Sequence, residues 1–189
     1  MTTTPARQCG SCTMCCKVLG IRELAKPVGA WCPHCAPGRG CKIYESRPSE
    51  CRTFSCGWLS DTSCPEDWRP DRSKLVFCPD SESRNVIVRI DAGSPDAWRR
   101  EPYHAWLRNK AAQGLAAGTL VIVSVNNNAT LILPEGEQFI GLLNAGDQIE
   151  AHRRSGPNGP MLEVKVIRHA PAPQTDGDVP AEAGSETHS

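Results

Sequence analysis

No run of about 18 consecutive apolar residues occurs in the 189-residue chain, which excludes a membrane-spanning helix. Met1 to Gln8 carry no apolar signal-peptide core, so the expected compartment is the reducing cytoplasm. No phosphate-cradling GxGxxG or GxxxxGK(S/T) loop is present, nor a GxSxG elbow or an HExxH helix, and the activities those motifs announce fall away with them. Net charge is missing too, since 21 Lys and Arg meet 21 Asp and Glu. The balance hides a division: residues 1–78 hold 11 basic and 7 acidic side chains, and the remainder hold 10 and 14. Four thiolates around one Zn²⁺ leave two negative charges, so two such sites would offset the basic excess, which argues against a nucleic-acid surface. Histidine is sparse and scattered. His104, His152, His169 and His188 read as surface or structural, and no cysteine is singled out as the nucleophile of a cysteine–histidine pair.

Cysteine is what the chain has in excess. Nine of its eleven fall between Cys9 and Trp58, in the runs C-G-S-C-T-M-C-C, W-C-P-H-C and G-R-G-C-K-I-Y-E-S-R-P-S-E-C-R-T-F-S-C-G-W. An odd total and a reducing compartment oppose a disulfide scaffold, and clustered CxxC spacing points to metal ligands or redox thiols. Cys9, Cys12 and Cys15 recur every third residue, so three sulfurs can converge on one centre, as in zinc sites. The same run opens the ligand pattern of a [4Fe–4S] cluster, although Cys16 follows at once without that pattern's spacer. On an extended backbone Cys15 and Cys16 point to opposite sides, so either they serve two centres or one is a structural thiol. His34, inside C-P-H-C, is either a further ligand or an exposed loop residue. Gly10 and Gly40 adjoin cysteines, where glycine lets backbone amides turn towards sulfur, while Gly40 also suits a plain turn. Arg47-Pro48 predicts a helical turn that swings Cys51 back towards the first cluster. Arg47 and Arg52 are candidate donors to sulfurs or carboxylates, or ordinary surface arginines. Cys64 and Cys78, each followed by proline in the loop-like stretch Asp61–Asp80, read as free or buried thiols.

The rest predicts a small, mainly antiparallel α+β region. Residues 85–90 read as a strand. Ser94-Pro95-Asp96 predicts a helix start, with the helix interrupted at Pro102 and running to about Gly114, and Trp98 and Trp106 are candidate core anchors. Thr119–Val125 and Ala129–Leu133 flank Asn126-Asn127-Asn128 as a three-residue hairpin loop. Gln148–Arg153 and Met161–Arg168 flank Gly156-Pro157-Asn158-Gly159 in the same manner, with Leu162, Val164 and Val166 alternating with polar residues. From Ala170 onward the composition predicts a disordered tail. The expected fold class is therefore α+β: a cysteine-rich, metal-stabilised N-terminal module (1–80), a small α+β region (81–169) and a tail (170–189).

The ordered cysteines, together with I43-Y44-E-S-R47-P48, resemble the YkgJ-type cysteine cluster proteins, which are described as a zinc- or iron-chelating domain with a CxxCxxCC signature. The resemblance covers about the first third of the chain. It implies metal ligation by Cys9, Cys12, Cys15, Cys16, Cys32, Cys41, Cys51 and Cys56, enough for two four-coordinate sites or for one iron–sulfur cluster and a zinc. The family pattern usually has an apolar residue at Cys35, which sets that cysteine apart from the other eight. Similar clusters occur in proteins described as iron–sulfur oxidoreductases and flagellin lysine methylases.

The expected function is metal binding by a cytoplasmic cysteine cluster protein, with zinc or iron, including an iron–sulfur cluster, as cofactor. The alternatives are an iron–sulfur oxidoreductase, an enzyme that modifies a protein substrate with help from a cluster, or a zinc module for protein or nucleic-acid contacts. Metal ions and a protein partner or substrate are the expected partners, without a membrane.

Overall fold

The computed structural model describes residues 7–79, 85–144, 147–156 and 159–168. Short elements make up the first part: α1 (Met14–Val18), the paired strands β1 (Cys35–Ala36) and β2 (Gly40–Cys41), α2 (Ser49–Thr53), α3 (Gly57–Ser60) and α4 (Pro70–Ser73). None of these helices exceeds five residues, too few for a helix to persist without tertiary support. Longer elements follow: β3 (Leu75–Pro79), β4 (Val86–Ile90), α5 (Tyr103–Ala117), β5 (Val121–Val125), β6 (Asn128–Leu133), β7 (Gly136–Leu142), β8 (Gln148–Gly156) and β9 (Gly159–Ile167).

Strands β3 to β7 form one five-stranded sheet in sequence order. Its neighbours pair antiparallel except β4 and β5, which run parallel because α5 carries the chain across between them. β8 and β9 form a separate antiparallel pair. The architecture is thus mixed α+β with few helices and several antiparallel pairings. Among the described residues no helix is long and apolar enough to cross a membrane.

Alternation along the strands creates two buried layers. Leu75, Phe77, Val88, Ile90, Val121 and Val123 turn to one face, where they meet Leu107 and Ala111 of α5, Trp98, Trp68 and Trp58. Trp68 stacks on Phe77 at 5.6 Å and meets Trp106 edge-on at 5.4 Å. Ile122, Ala129 and Leu131 point the other way, under Ile149, Ala151, Val164 and Val166 of the β8–β9 pair. At the β3 edge, Val76 meets Met14 and Val18 of α1, with Cys12, Cys56 and Cys78 alongside. The cysteine-rich stretch is therefore seated directly on the sheet. β3 lies on its side of residue 80 and β4 on the other, so the sheet draws strands from both stretches.

Several expectations need correction. Residues 75–79, read as part of a loop, form β3; Pro79 is tolerated because it ends an edge strand. β7 was not expected: its apolar residues Phe139, Ile140 and Leu142 are interrupted by Gly141, and Phe139 and Leu142 stay exposed on this edge strand. The hairpin between β5 and β6 turns on two residues, Asn126 and Asn127, with φ of 45° and 67°, and Asn128 already pairs with Val125. The predicted helix start at Ser94 yields only a single 3₁₀ turn, Ala97–Arg99. The helix proper begins after a cis Glu101–Pro102 bond and ends at left-handed Gly118. Trp98 is buried and Trp106 packs against the same core, as expected. The tail from Ala170 and the turn at Pro157-Asn158 lie outside the described residues.

Candidate metal centre

Each cysteine segment is bent by a local turn. Cys12 N donates to Cys9 O at 2.9 Å and Cys35 N to Cys32 O at 3.0 Å, the backbone form that C-x2-C spacing favours. The two segments are joined by a bond from Cys32 N to Cys16 O at 3.0 Å. Thr13 Oγ1, which is buried, accepts from Gly38 N at 3.1 Å and holds the loop before β2 against the start of α1. Gly10 and Gly40 both adopt the left-handed region, at φ 50° and 123°, and a Cβ on Gly40 would lie 3.3 Å from the Gly10 carbonyl oxygen. Pro48 opens α2, its carbonyl accepting from Cys51 N at 3.0 Å, which is the turn predicted from Arg47-Pro48.

These turns enclose a cavity of about 300 Å³ on the sheet's β3 edge. Cys9, Cys12, Cys15, Cys16, Cys32, Cys41, Cys51 and Cys56 all line it, whereas Cys35, Cys64 and Cys78 do not. His34 is absent from its walls; Arg47 and Arg52 are present. All eleven cysteines are free thiols.

Cys15 and Cys16 share this cavity because they lie in α1. A helix rotates successive residues by about 100°, not the half-turn of an extended segment, so their side chains meet. The hydrogen bond with the Cys15 thiol raises the pKa of Cys16, and burial adds to it; Cys35 and Lys26 pull the other way. Burial also raises Cys51, reinforced by neighbouring Cys16, Cys32 and Cys41. Burial raises Cys56, opposed by hydrogen bonds from the amides of Leu59 and Trp58, while Cys9 and Cys12 add to the rise. Cys9 is raised by burial and by Cys12, against the pull of Arg47 and Arg69. Cys16 acts electrostatically on both Cys9 and Cys51, so the charge of these sulfurs is felt across the cavity.

Lys26 lies beneath them, and nothing in its sequence context marked it out. Only 6% exposed, it donates to the carbonyls of Lys17 at 3.2 Å, Pro27 at 3.0 Å, and Leu19. Burial lowers its pKa, and the thiols of Cys32, Cys16, Cys15 and Cys51 oppose that shift. An ammonium this deep calls for negative charge nearby. Trp58, which does line the cavity, sits two residues after the last cysteine of the run.

The donor set suits a thiophilic metal, because sulfur ligands select zinc, Cu(I) or iron–sulfur clusters. Its spacing is not that of a closed site: among the described residues, no three His, Cys, Asp or Glu side chains stand together in a group able to hold an ion. Cys35, although not a wall residue, packs with Ile21, Cys32, Cys16 and Cys51 and shares a hydrogen bond with the Cys16 thiol, and burial pushes its own thiol up to about 11. Cys64 lies beside the partly buried apolar residues of α3, and its carbonyl accepts from Arg7 at 2.5 Å.

No known protein family, curated protein sequence or solved structure matches this chain.

Proposed function

We propose that this chain is a cytoplasmic metal-binding protein of the YkgJ-like cysteine cluster kind, holding zinc or iron through Cys9, Cys12, Cys15, Cys16, Cys32, Cys41, Cys51 and Cys56. The observation that carries the reading is the sorting of the eleven cysteines: these eight line one cavity and the other three do not. Lys26 and Arg47 supply positive charge beside the sulfurs, as an anionic thiolate centre requires.

A second reading, an iron–sulfur centre serving electron transfer or the modification of a protein substrate, is favoured by the cavity's size. One zinc ion with sulfur bonds of about 2.3 Å fills little of 300 Å³. Such a cluster would supply a one-electron carrier; the chain would contribute the thiolates, the apolar walls of Leu19, Ile43 and Phe54, and the flanking cations.

Metal analysis and absorption spectroscopy of anaerobically purified protein test both. Two zinc ions in a colourless protein support the first reading; iron with labile sulfide in a brown protein supports the second. A metal-free protein that binds neither ion on titration would sink both.

A further inference from the structure

Four buried side-chain atoms of the described residues lack a well-directed hydrogen bond: Arg47 Nε, Trp58 Nε1, Arg69 Nε and Asp71 Oδ1. The last two stand 3.2 Å apart and face each other as an ion pair. That leaves two N–H donors, and both belong to residues lining the thiol cavity. A buried donor without an acceptor is costly, so each calls for a partner that the protein residues do not supply.

Both residues are held in place firmly. Trp58 is only 5% exposed, and its ring lies under the guanidinium of Arg7 at 4.6 Å, with Arg69 further off at 5.8 Å. Arg7 is itself anchored by the carbonyls of Trp58, Asp61, Thr62 and Cys64. Arg47 stacks on the Tyr44 ring at 3.9 Å, which fixes the plane of its fork. The thiols of Cys9 and Cys41 act electrostatically on Arg47, and the Cys56 sulfur accepts the Trp58 backbone amide. A protonated thiol is a weak acceptor, whereas a metal-bound thiolate is charged and accepts strongly.

We infer that Trp58, through Nε1–H, and Arg47, through Nε–H, are positioning residues that donate hydrogen bonds to the sulfurs of the loaded metal centre. The inference rests on the metal-binding reading above. It makes the two donors an outer shell that stays unpaired until thiolates form, and so couples metal loading to completion of the cavity wall.

The test titrates Zn²⁺ into isotopically labelled full-length protein, its Trp58→Phe variant and its Arg47→Lys variant. Trp58→Phe keeps an aromatic ring and loses only the donor; Arg47→Lys keeps the charge and loses Nε. In the unsubstituted protein, the indole N–H resonance missing from Trp58→Phe moves downfield on loading and exchanges more slowly with solvent. Both variants reach full stoichiometry but bind Zn²⁺ about 10-fold more weakly, at the low end for outer-shell partners. Full loading with an unchanged indole resonance and undiminished affinity in both variants overturns the inference and leaves the metal reading standing. A response at one residue alone keeps that donor and removes the other. Failure of the unsubstituted protein to bind Zn²⁺ or Fe²⁺ overturns the reading and the inference together.

Discussion

Lys17 Nζ lies 2.5 Å from Asp91 Oδ1, with the two side chains 21% and 11% exposed. The pair ties α1, which carries Cys15 and Cys16, to the end of β4 and so to the sheet. Burial pushes the Asp91 carboxyl upward, but the hydrogen bonds from Lys17 and the Gly93 amide outweigh it and hold the pKa below the ordinary 3.8. A lowered carboxyl stabilises the fold above its unfolded pKa, and that contribution disappears as pH falls through the folded value. Asp91→Asn is therefore expected to lower unfolding free energy by about 1–3 kcal/mol at neutral pH, with the difference shrinking as pH falls below the unfolded carboxyl pKa of about 3.9. Urea unfolding of both proteins across this range checks it; a difference that persists in acid would assign the loss to something other than charge.

Metal content separates the wall cysteines from the rest. Cys12→Ser and Cys51→Ser are expected to lose bound metal, whereas Cys64→Ser and Cys78→Ser retain it. Elemental analysis of the four variants decides the matter, and equal content in all of them contradicts the ligand assignment.

Gly57 begins α3 where it crosses β3. A Cβ there would come 2.9 Å from the Phe77 Cβ, a contact between atoms that cannot rotate away. Gly57→Ala is expected to cost about 1–3 kcal/mol through overpacking. Gly136→Ala is the control, since nothing lies within 4 Å of its Cβ position, and its effect should stay within about 0.5 kcal/mol. Thermal unfolding of the pair measures the contrast; equal melting temperatures would show that α3 slides freely on the strand.

Burial pushes the Cys78 thiol up to about 12, with Arg89 opposing. Its Sγ lies 3.6 Å from the Val76 carbonyl oxygen, in the layer beneath α1. Because the thiolate is the reactive form, Cys78 should resist iodoacetamide in the native protein at pH 8 and react only after unfolding. Peptide mapping after a timed pulse reads this directly, and early labelling of Cys78 would place it at an open surface.

Much of the site was legible in the chain because cysteine spacing is covalent. A C-x2-C stretch can close only a short turn, so Cys9 to Cys12 and Cys32 to Cys35 bend as expected. Pro48 cannot donate a backbone hydrogen bond and its fixed φ suits the start of a helix, which placed Cys51. Strands 86–90 and 121–125 were visible from their β-branched runs. Lys26 and Trp58 were not, since a lysine between apolar residues and a tryptophan two places after a cysteine read the same whether they end in solvent or buried beside a cavity. β3 was lost for a related reason: five residues ending in proline announce a strand only when a partner lies beside them.

Residue order alone determined which atoms are available: eleven sulfurs, nine of them in one stretch, with turns that cluster them in twos and threes. Packing decided which eight share a space. α1 rotates Cys15 and Cys16 into it, Cys51 and Cys56 arrive from beyond residue 48, and Cys35 stays behind the wall, packed with Ile21 and Cys32. The distinction is physical: spacing constrains neighbours within a turn or two, while contacts between residues 9 and 56 exist only because α1 and α3 come to rest on the same edge strand.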